Sequence, residues 1–300
     1  MTNFKTISKY TLFLLLALSV SIVGCSSDKS PQTANDSNKE TNPILENFSE
    51  RDIVTVTYKT TVSPELKADI FVPQNFNAEK EMPVLITFHG GAWTHGMPSY
   101  MHNQCWIFSS KGFIAVAPWY RVKNSHETTP IESIQDAKSI IRWIRKNAAE
   151  LHADPDRIVV SGASAGGHLA AACAMIEEFN DTNDDLGVSC IPNALILYCP
   201  ALDADNSYFR SLMKKSADTL KASPYHNIRK NLPPTLIFHG NIDKTVPYNQ
   251  SVKFTQRMKE YGNTCVLSTM EGHEHIMQDQ DYANTKDISF DFLKKIGIIR

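Results

Sequence analysis

The run Ile158-Val159-Val160-Ser161 leads straight into Gly162-Ala163-Ser164-Ala165-Gly166-Gly167-His168-Leu169, and a small-residue helical segment leaves that turn. A chain that turns so sharply from strand to helix must set the strand inside a sheet and the helix against its face. Glycines at 162 and 166 stand where a Cβ would collide with neighbouring backbone. The serine between them takes a strained conformation and lifts its hydroxyl clear of the sheet, as in a nucleophile elbow. The amides at the start of the helix then aim partial positive charge at the place where an oxyanion would form. Gly-x-Ser-x-Gly also occurs in unrelated turns, so a plain Gly/Ser corner is the bland alternative. It leaves unexplained the partners that three distant segments supply, and Ser164 is the candidate nucleophile.

Composition narrows the field around that turn. The chain has 300 residues, 42% of them hydrophobic and 21% charged, with a formal net charge of −2. These are globular values, and no single-sign block stands ready for nucleic acid, which is not an expected partner. The first 24 residues read as a lipoprotein signal peptide. Lys5 and Lys9 are basic, Thr11 to Val23 is apolar, and the run stops at Gly24-Cys25. The apolar stretch falls short of the ~20 residues that span a bilayer. It resembles a bacterial lipoprotein leader, in which the peptide is cut before Cys25 and that cysteine is acylated. An ordinary signal peptide cut nearby is the alternative. Residues 25–50 then form an acylated cysteine and a polar tether, too poor in apolar groups to offset its ordering entropy. At ~5–6 Å times the square root of its length, the tether holds the folded domain roughly 25–30 Å from the lipid. The expected location is the bacterial cell envelope, anchored through lipid, on the periplasmic or cell-surface face. Cys105, Cys173, Cys190, Cys199 and Cys265 are an odd, scattered set and no disulfide framework, although one bridge would be compatible with an oxidising compartment. Cys173 and Cys199 sit among apolar neighbours, as small buried hydrophobes do.

Residues 51–300 alternate strands and helices. Val54–Lys59 and Leu66–Val72 alternate apolar and polar residues, like an edge hairpin. Val84–His89, Ile114–Pro118, Ile158–Ser161, Ala194–Tyr198 and Thr235–His239 are short apolar runs typical of buried parallel strands, and Thr264–Thr269 is a sixth. Ile134, Ala137, Ile140, Ile141, Ile144 and Ala148 mark one face of a helix. Phe254, Met258 and Tyr261 mark another, and Ile288, Phe292 and Ile296 a third. The fold class is therefore α/β, a doubly wound, mostly parallel sheet with helices on both faces and no large cap domain. The one sizeable insertion, Asp203 to Arg229, has room for a small helical flap.

A serine hydroxyl needs a base to take its proton, an acid to orient that base, and fixed donors for the oxyanion. Each part falls at the C-terminal end of an expected strand, where open α/β sheets bind ligands. His89-Gly90-Gly91-Ala92-Trp93 follows one strand. The amides of Gly90 and Gly91, with that of Ala165, are the candidate oxyanion hole. His89 reads as a structural hydrogen-bond partner, and Trp93 as either pocket wall or core. Asp243, after Thr235–His239 and a glycine turn, is the candidate acid, with Asp203 and Asp205 as rivals. His273 and His275, in Gly272-His273-Glu274-His275, are both candidate bases. Such a His-x-His pair is compatible with metal, but no third ligand pattern accompanies it, and neither metal nor cofactor is expected.

From about residue 52 onward the chain resembles the α/β-hydrolase carboxylesterases. The resemblance is carried by His89-Gly-Gly-Ala-Trp93, Trp119-Tyr-Arg121, Asp154-Pro-Asp-Arg157, Gly162-Ala-Ser-Ala-Gly-Gly-His168, and Ser223-Pro224 leading to Leu232-Pro-Pro-Thr-Leu-Ile-Phe-His-Gly240. These segments look closest to the feruloyl and acetyl-xylan esterase type and to small hormone-sensitive-lipase-like esterases. The family places its histidine three residues after a glycine and before an aromatic. Here that spacing selects His275, with Met277 in the aromatic's place; His273 remains the alternative base. The long N-terminal cap common in lipid-active relatives is not seen. What the resemblance implies is a Ser-His-Asp esterase without cofactor, acting on a small ester or an acylated polysaccharide. Two other classes compete with it. A prolyl-oligopeptidase-type peptidase would use the same triad, but usually carries an aromatic after the nucleophile and adds a propeller domain. A non-catalytic, glycan-binding surface lipoprotein would need no intact triad.

Overall fold

Strands buried on both faces must be apolar throughout, and the central runs meet that condition because helices cover both sides of the sheet they share. The computed structural model describes residues 53–73, 76–275 and 279–300. The signal peptide, Cys25, the tether and Met277 lie outside the described residues. Eight strands form one sheet: β1 (Ile53–Lys59), β2 (Leu66–Phe71), β3 (Met82–Phe88), β4 (Ile114–Pro118), β5 (Ala153–Ala163), β6 (Ala194–Tyr198), β7 (Thr235–Gly240) and β8 (Cys265–Met270). Their spatial order is β1-β2-β4-β3-β5-β6-β7-β8. β1 and β2 pair antiparallel at one edge, and β2 meets β4 antiparallel. From β4 to β8 every pairing is parallel. All residues of β3, β4, β6 and β7 are buried, whereas β8, at the far edge, buries only Cys265 fully. β5 starts at Ala153, ahead of its apolar run, because Ala153 pairs with Met82 across a register shift that accommodates Pro155.

Seven helices complete the described chain: α1 (His102–Ser109), α2 (Lys123–His126), α3 (Pro130–Lys146), α4 (Ala165–Met175), α5 (Ser207–Leu212), α6 (Tyr248–Glu260) and α7 (Asp279–Lys295). One face of the sheet packs Val84, Ile86, Leu195 and Leu197 against α3, α4 and α6. The other packs Leu85, Ile196 and Phe238 against α1 and α7. The fold is thus the doubly wound α/β sheet expected. Between β6 and β7 the insertion holds only α5 and two short 3-10 turns, Ser216–Asp218 and Pro224–Asn227, so no large cap occurs there. α3 begins at a capping box, with Thr129 and Glu132 satisfying each other's free amides and Pro130 at the first helical position. Two helix faces differ from expectation. Tyr261 lies just beyond α6 and is exposed. On α7 the buried face runs through Tyr282, Thr285, Ser289, Phe292 and Leu293, while Ile288 is exposed and Ile296 follows the helix. The five cysteines of the domain are all buried and form no disulfide among themselves.

A buried ion network ties the hairpin edge to α3. Asp136, with no exposure, accepts from Lys59 Nζ at 2.7 Å, from Arg121 Nε and Nη2 at 2.8 Å each, and from the Arg121 amide at 2.9 Å. Lys59 also reaches Asp181 at 2.7 Å. Removing one partner of such a set leaves charges buried and uncompensated. Asp136→Ala is expected to cost about 3–5 kcal/mol of stability, read as a fall in the urea midpoint. An unchanged midpoint would show that Lys59 and Arg121 find water instead.

Candidate active site

At the end of β5 the backbone turns through Ser164, whose φ of 56° and ψ of −117° lie where only glycine rests without strain. Neighbouring strands hold it there. The Ser164 amide donates to the Tyr198 carbonyl at 2.9 Å, and its own carbonyl accepts from Ala201 at 3.2 Å and His168 at 3.1 Å. A Cβ on Gly162 would lie 2.4 Å from the Gly166 carbonyl, and one on Gly166 would lie 2.1 Å from the Phe88 carbonyl. The elbow therefore closes directly onto β3 and permits no side chain at either glycine. Ala165 is the first residue of α4, so its amide has no partner inside the helix.

Across from the elbow, β3 ends in the His89–Trp93 loop. Gly91 has a φ of 124°, and a Cβ there would lie 1.9 Å from the His95 carbonyl, so glycine is required. Its carbonyl is bound by Thr94 and His95 amides at 3.0 and 3.1 Å, while none of the described turn and loop hydrogen bonds uses the amides of Gly90 or Gly91. His89 fixes the loop from beneath. Its Nδ1 donates to the Gly90 carbonyl at 2.7 Å, and its ring stacks on Tyr120 with centroids 4.2 Å apart. Trp93 is pocket wall and buried at once. Its Nε1 donates to His168 Nδ1 at 3.2 Å, and His168 Nε2 donates to the Ala222 carbonyl at 2.8 Å. His168 thus joins the α4 start, the His89–Trp93 loop and the flap.

Burial pushes the pKa of both His89 and His168 down to about 4, so both are neutral in the folded state. The unfolded value is about 6.5. Their contribution to stability is then full above pH ~6.5 and is lost as pH falls toward about 4. The unfolding free energy should fall between pH 7 and 4.5, with a shallower fall in His168→Gln. A flat profile over that window would contradict the buried neutral assignment.

Asp243 follows β7 and has a fully buried carboxylate. Its Oδ1 accepts from the amides of Thr245 and Val246 at 2.7 and 2.9 Å. Its Oδ2 accepts from His275 Nδ1 at 2.6 Å and lies 3.2 Å from His239 Nε2. His239 Nε2 faces two acceptors, Asp243 and the Val246 carbonyl, so it carries the proton, and its Nδ1 accepts from Ser251 at 2.7 Å. Burial lowers the His239 pKa and keeps that arrangement neutral. His275 turns its other nitrogen, Nε2, toward the end of β6, where Cys199 Sγ lies 3.7 Å away. Cys199 directly follows Tyr198, the residue that binds the Ser164 amide. The end of β6 therefore touches both the Ser164 backbone, through Tyr198, and the His275 ring, through Cys199.

The rival residues lie elsewhere. His273 Nδ1 binds the Glu271 carbonyl of its own turn at 3.0 Å. Asp203 accepts from the Asp205 amide at 2.9 Å, and Asp205 pairs with Arg210 in the flap. The histidine loop itself rests on Gly240, where a Cβ would lie 2.2 Å from the carbonyls of both His273 and Glu274. Gly240→Ala must move that backbone and His275 with it. With His275 as the candidate base, a displacement of about 1 Å costs ~10²-fold, and kcat is expected to fall by that order. Full activity in Gly240→Ala would show that the loop adapts freely.

Ser164 opens into a cleft of about 460 Å³, walled by Trp93 and Ala201, by Tyr208 of the flap, and by Val246 and Pro247 beside Asp243. Two further residues matter here that the sequence did not single out, His239 and Ser251. Their only signal was polarity inside an otherwise apolar strand and helix face.

Comparison with known proteins agrees with this architecture. The family model BD-FAE matches residues 68–193, and the prolyl oligopeptidase family model matches residues 196–296. The apo form of Thermogutta terrifontis esterase 2 superposes with a TM-score of 0.79 at 35% identity, covering 83% of this chain and 96% of that one. Esterase LipQ of Mycobacterium tuberculosis is 30% identical over 66% of this chain and 51% of its own length. A probable isoprenylcysteine alpha-carbonyl methylesterase of Arabidopsis thaliana, ICMEL1, is 26% identical over 71% of this chain and 48% of its own. The chain spans about half the length of the curated relatives it matches. It belongs to the carboxylesterases of the α/β-hydrolase fold.

Proposed function

We propose that this protein is a serine carboxylesterase in which Ser164 is the nucleophile, His275 the base and Asp243 the orienting acid. The observation that carries this reading is the 2.6 Å bond from His275 Nδ1 to Asp243, set at the same strand ends as the strained Ser164. Asp243 holds the Nδ1 proton, which leaves Nε2 with the lone pair that accepts the Ser164 proton. Ser164 Oγ attacks the ester carbonyl, and the oxyanion is received by amides of Gly90, Gly91 and Ala165. The tetrahedral species collapses, and His275 passes its proton to the departing alcohol. Water then attacks the acyl-serine, gives its proton to His275, and the acid leaves as Ser164 is restored.

The natural substrate we assign is an acetyl or feruloyl ester on plant polysaccharide, met at the bacterial cell envelope by an enzyme held there through lipid on Cys25. Two features support a bulky, polar alcohol. The cleft shares Pro247 and Gln250 with a depression also lined by Asp203, Tyr225 and Lys253, and that one shares Tyr225 and Lys253 with a third lined by Arg257 and Tyr261. Arg257 lies 4.9 Å above the Tyr225 ring, so this path offers planar polar and aromatic surfaces together. The test is acid release from acetylated xylan, methyl ferulate and a p-nitrophenyl ester series by wild type and Ser164→Ala. Serine-dependent release from xylan or ferulate supports the whole reading. Turnover of short p-nitrophenyl esters alone would retain the triad and remove the polysaccharide.

One observation favours a second reading: the prolyl oligopeptidase model matches the half that carries Asp243 and His275. A peptidase would cleave a prolyl p-nitroanilide faster than the matching ester. A glycan-binding lipoprotein without chemistry would bind xylan and turn over neither.

A further inference from the structure

The imidazole that accepts the serine proton has a thiol beside it, and the esterase mechanism gives that thiol nothing to do. Cys199 is wholly buried, with Sγ 3.7 Å from His275 Nε2. Its position is set by main chain: the Cys199 amide donates to Phe238 at 2.8 Å, and its φ is 36°. One ligand atom each from Cys199, His275 and Asp243 lie within 4.8 Å of one another.

We propose that Cys199 Sγ and His275 Nε2 form an inhibitory site for a soft divalent cation, Zn²⁺ above all. A bound ion takes the lone pair on which proton transfer from Ser164 depends. Geometry supports the chelate. Zinc–sulfur and zinc–nitrogen bonds of about 2.3 and 2.0 Å at a tetrahedral angle separate the two ligand atoms by about 3.5 Å. The observed 3.7 Å needs almost no movement. The second shell is also in place. A metal-binding histidine ordinarily gives its other ring N–H to a carboxylate, and His275 Nδ1 gives its proton to Asp243 at 2.6 Å. Asp243 itself is no ligand, because His275, His239 and two amides already engage its oxygens.

Thiolate and imidazole together select zinc or cadmium over magnesium or calcium. On binding, the Cys199 thiol loses its proton to solvent, sulfur and Nε2 each donate a pair to the ion, and water fills the remaining positions. With two protein ligands the ion is reversibly held. It enters from the side of His275, which is partly exposed, since Cys199 is not. His273 takes no part, being bound within its own turn.

Inhibition rests on the esterase reading; binding of the ion does not. The probe is Cd²⁺, whose thiolate complex absorbs in the ultraviolet. It is titrated into the metal-stripped protein while p-nitrophenyl acetate turnover is followed in parallel. In wild type, one equivalent should raise the absorption and stop turnover over the same concentrations, with reversal by EDTA and no response to Mg²⁺. Cys199→Ala and Cys199→Ser should each keep turnover and lose that absorption, and the inhibition constant should rise by at least about tenfold. His273→Ala should behave as wild type. Equal inhibition or undiminished absorption in both Cys199 variants would overturn the site. So would normal turnover in wild type with neither absorption nor inhibition. A Cys199-dependent absorption in a protein that hydrolyses no ester would instead keep the site and overturn the catalytic reading.

Discussion

Ser164→Ala is expected to lower kcat on any ester by on the order of 10⁶, because hydroxyl and base act as a unit and little chemistry remains once either is removed. The same position carries a second, opposite effect. A non-glycine residue held at φ 56°, ψ −117° stores about 1–3 kcal/mol of strain. Ser164→Gly should therefore be as inactive as Ser164→Ala and measurably more stable, with a higher urea midpoint. The two variants separate chemistry from conformation. Activity surviving in Ser164→Ala would place the nucleophile elsewhere. A Ser164→Gly protein less stable than wild type would show that the elbow is not strained, and that the serine side chain supports the turn.

The second large effect belongs to the acid and base. Asp243 accepts from His275, and its other oxygen is fixed by the Thr245 and Val246 amides. Asp243→Asn keeps the size of the group, and with its oxygen held by those two N–H donors it must turn its NH2, a donor, toward His275 Nδ1. His275 then loses the partner that holds its proton on Nδ1. By analogy with triads whose acid has been amidated, kcat should fall by ~10⁴. His275→Ala should fall as far as Ser164→Ala, and His273→Ala should change kcat by no more than a few-fold. The reverse order of the two histidine variants would move the base to His273 and contradict the role given to the Asp243 contact.

Why these residues could be picked out is a matter of which forces act locally. The end of β3 is readable because a β-branched run stops at the Gly90-Gly91 pair, whereas β5 runs two residues past the expected Ser161, through Gly162 to Ala163, before the turn at Ser164. The helix Pro130–Lys146 is readable along its apolar face, and its start is written in Thr129-Pro130-Ile131-Glu132, a capping box. Choosing between His273 and His275 was different. Both stand in one short turn; the family's glycine spacing points to His275 while the residues themselves leave both open, and in the fold it is the His275 ring that meets Asp243. The Asp136 network was equally hidden, since Lys59, Arg121 and Asp181 come from three segments that meet only after the sheet is assembled. On the last helix, Phe292 is buried and Ile296, just past the helix, packs partly buried against the same core, but Ile288 points to solvent because Tyr282, Leu293 and Phe290 fill that face. Local pattern reveals elements and punctuation; side-chain partners distant in sequence need the fold.

The central claim is a covalent acyl-enzyme at Ser164, and mass spectrometry tests it most directly. The protein is treated with a fluorophosphonate ester, digested, and its peptides mapped, beside a sample first unfolded in urea. The account predicts one adduct per native chain, on the peptide carrying Gly162-Ala163-Ser164-Ala165-Gly166, and none in the unfolded sample. A native chain that stays unlabelled, or carries its adduct on another residue, would contradict it.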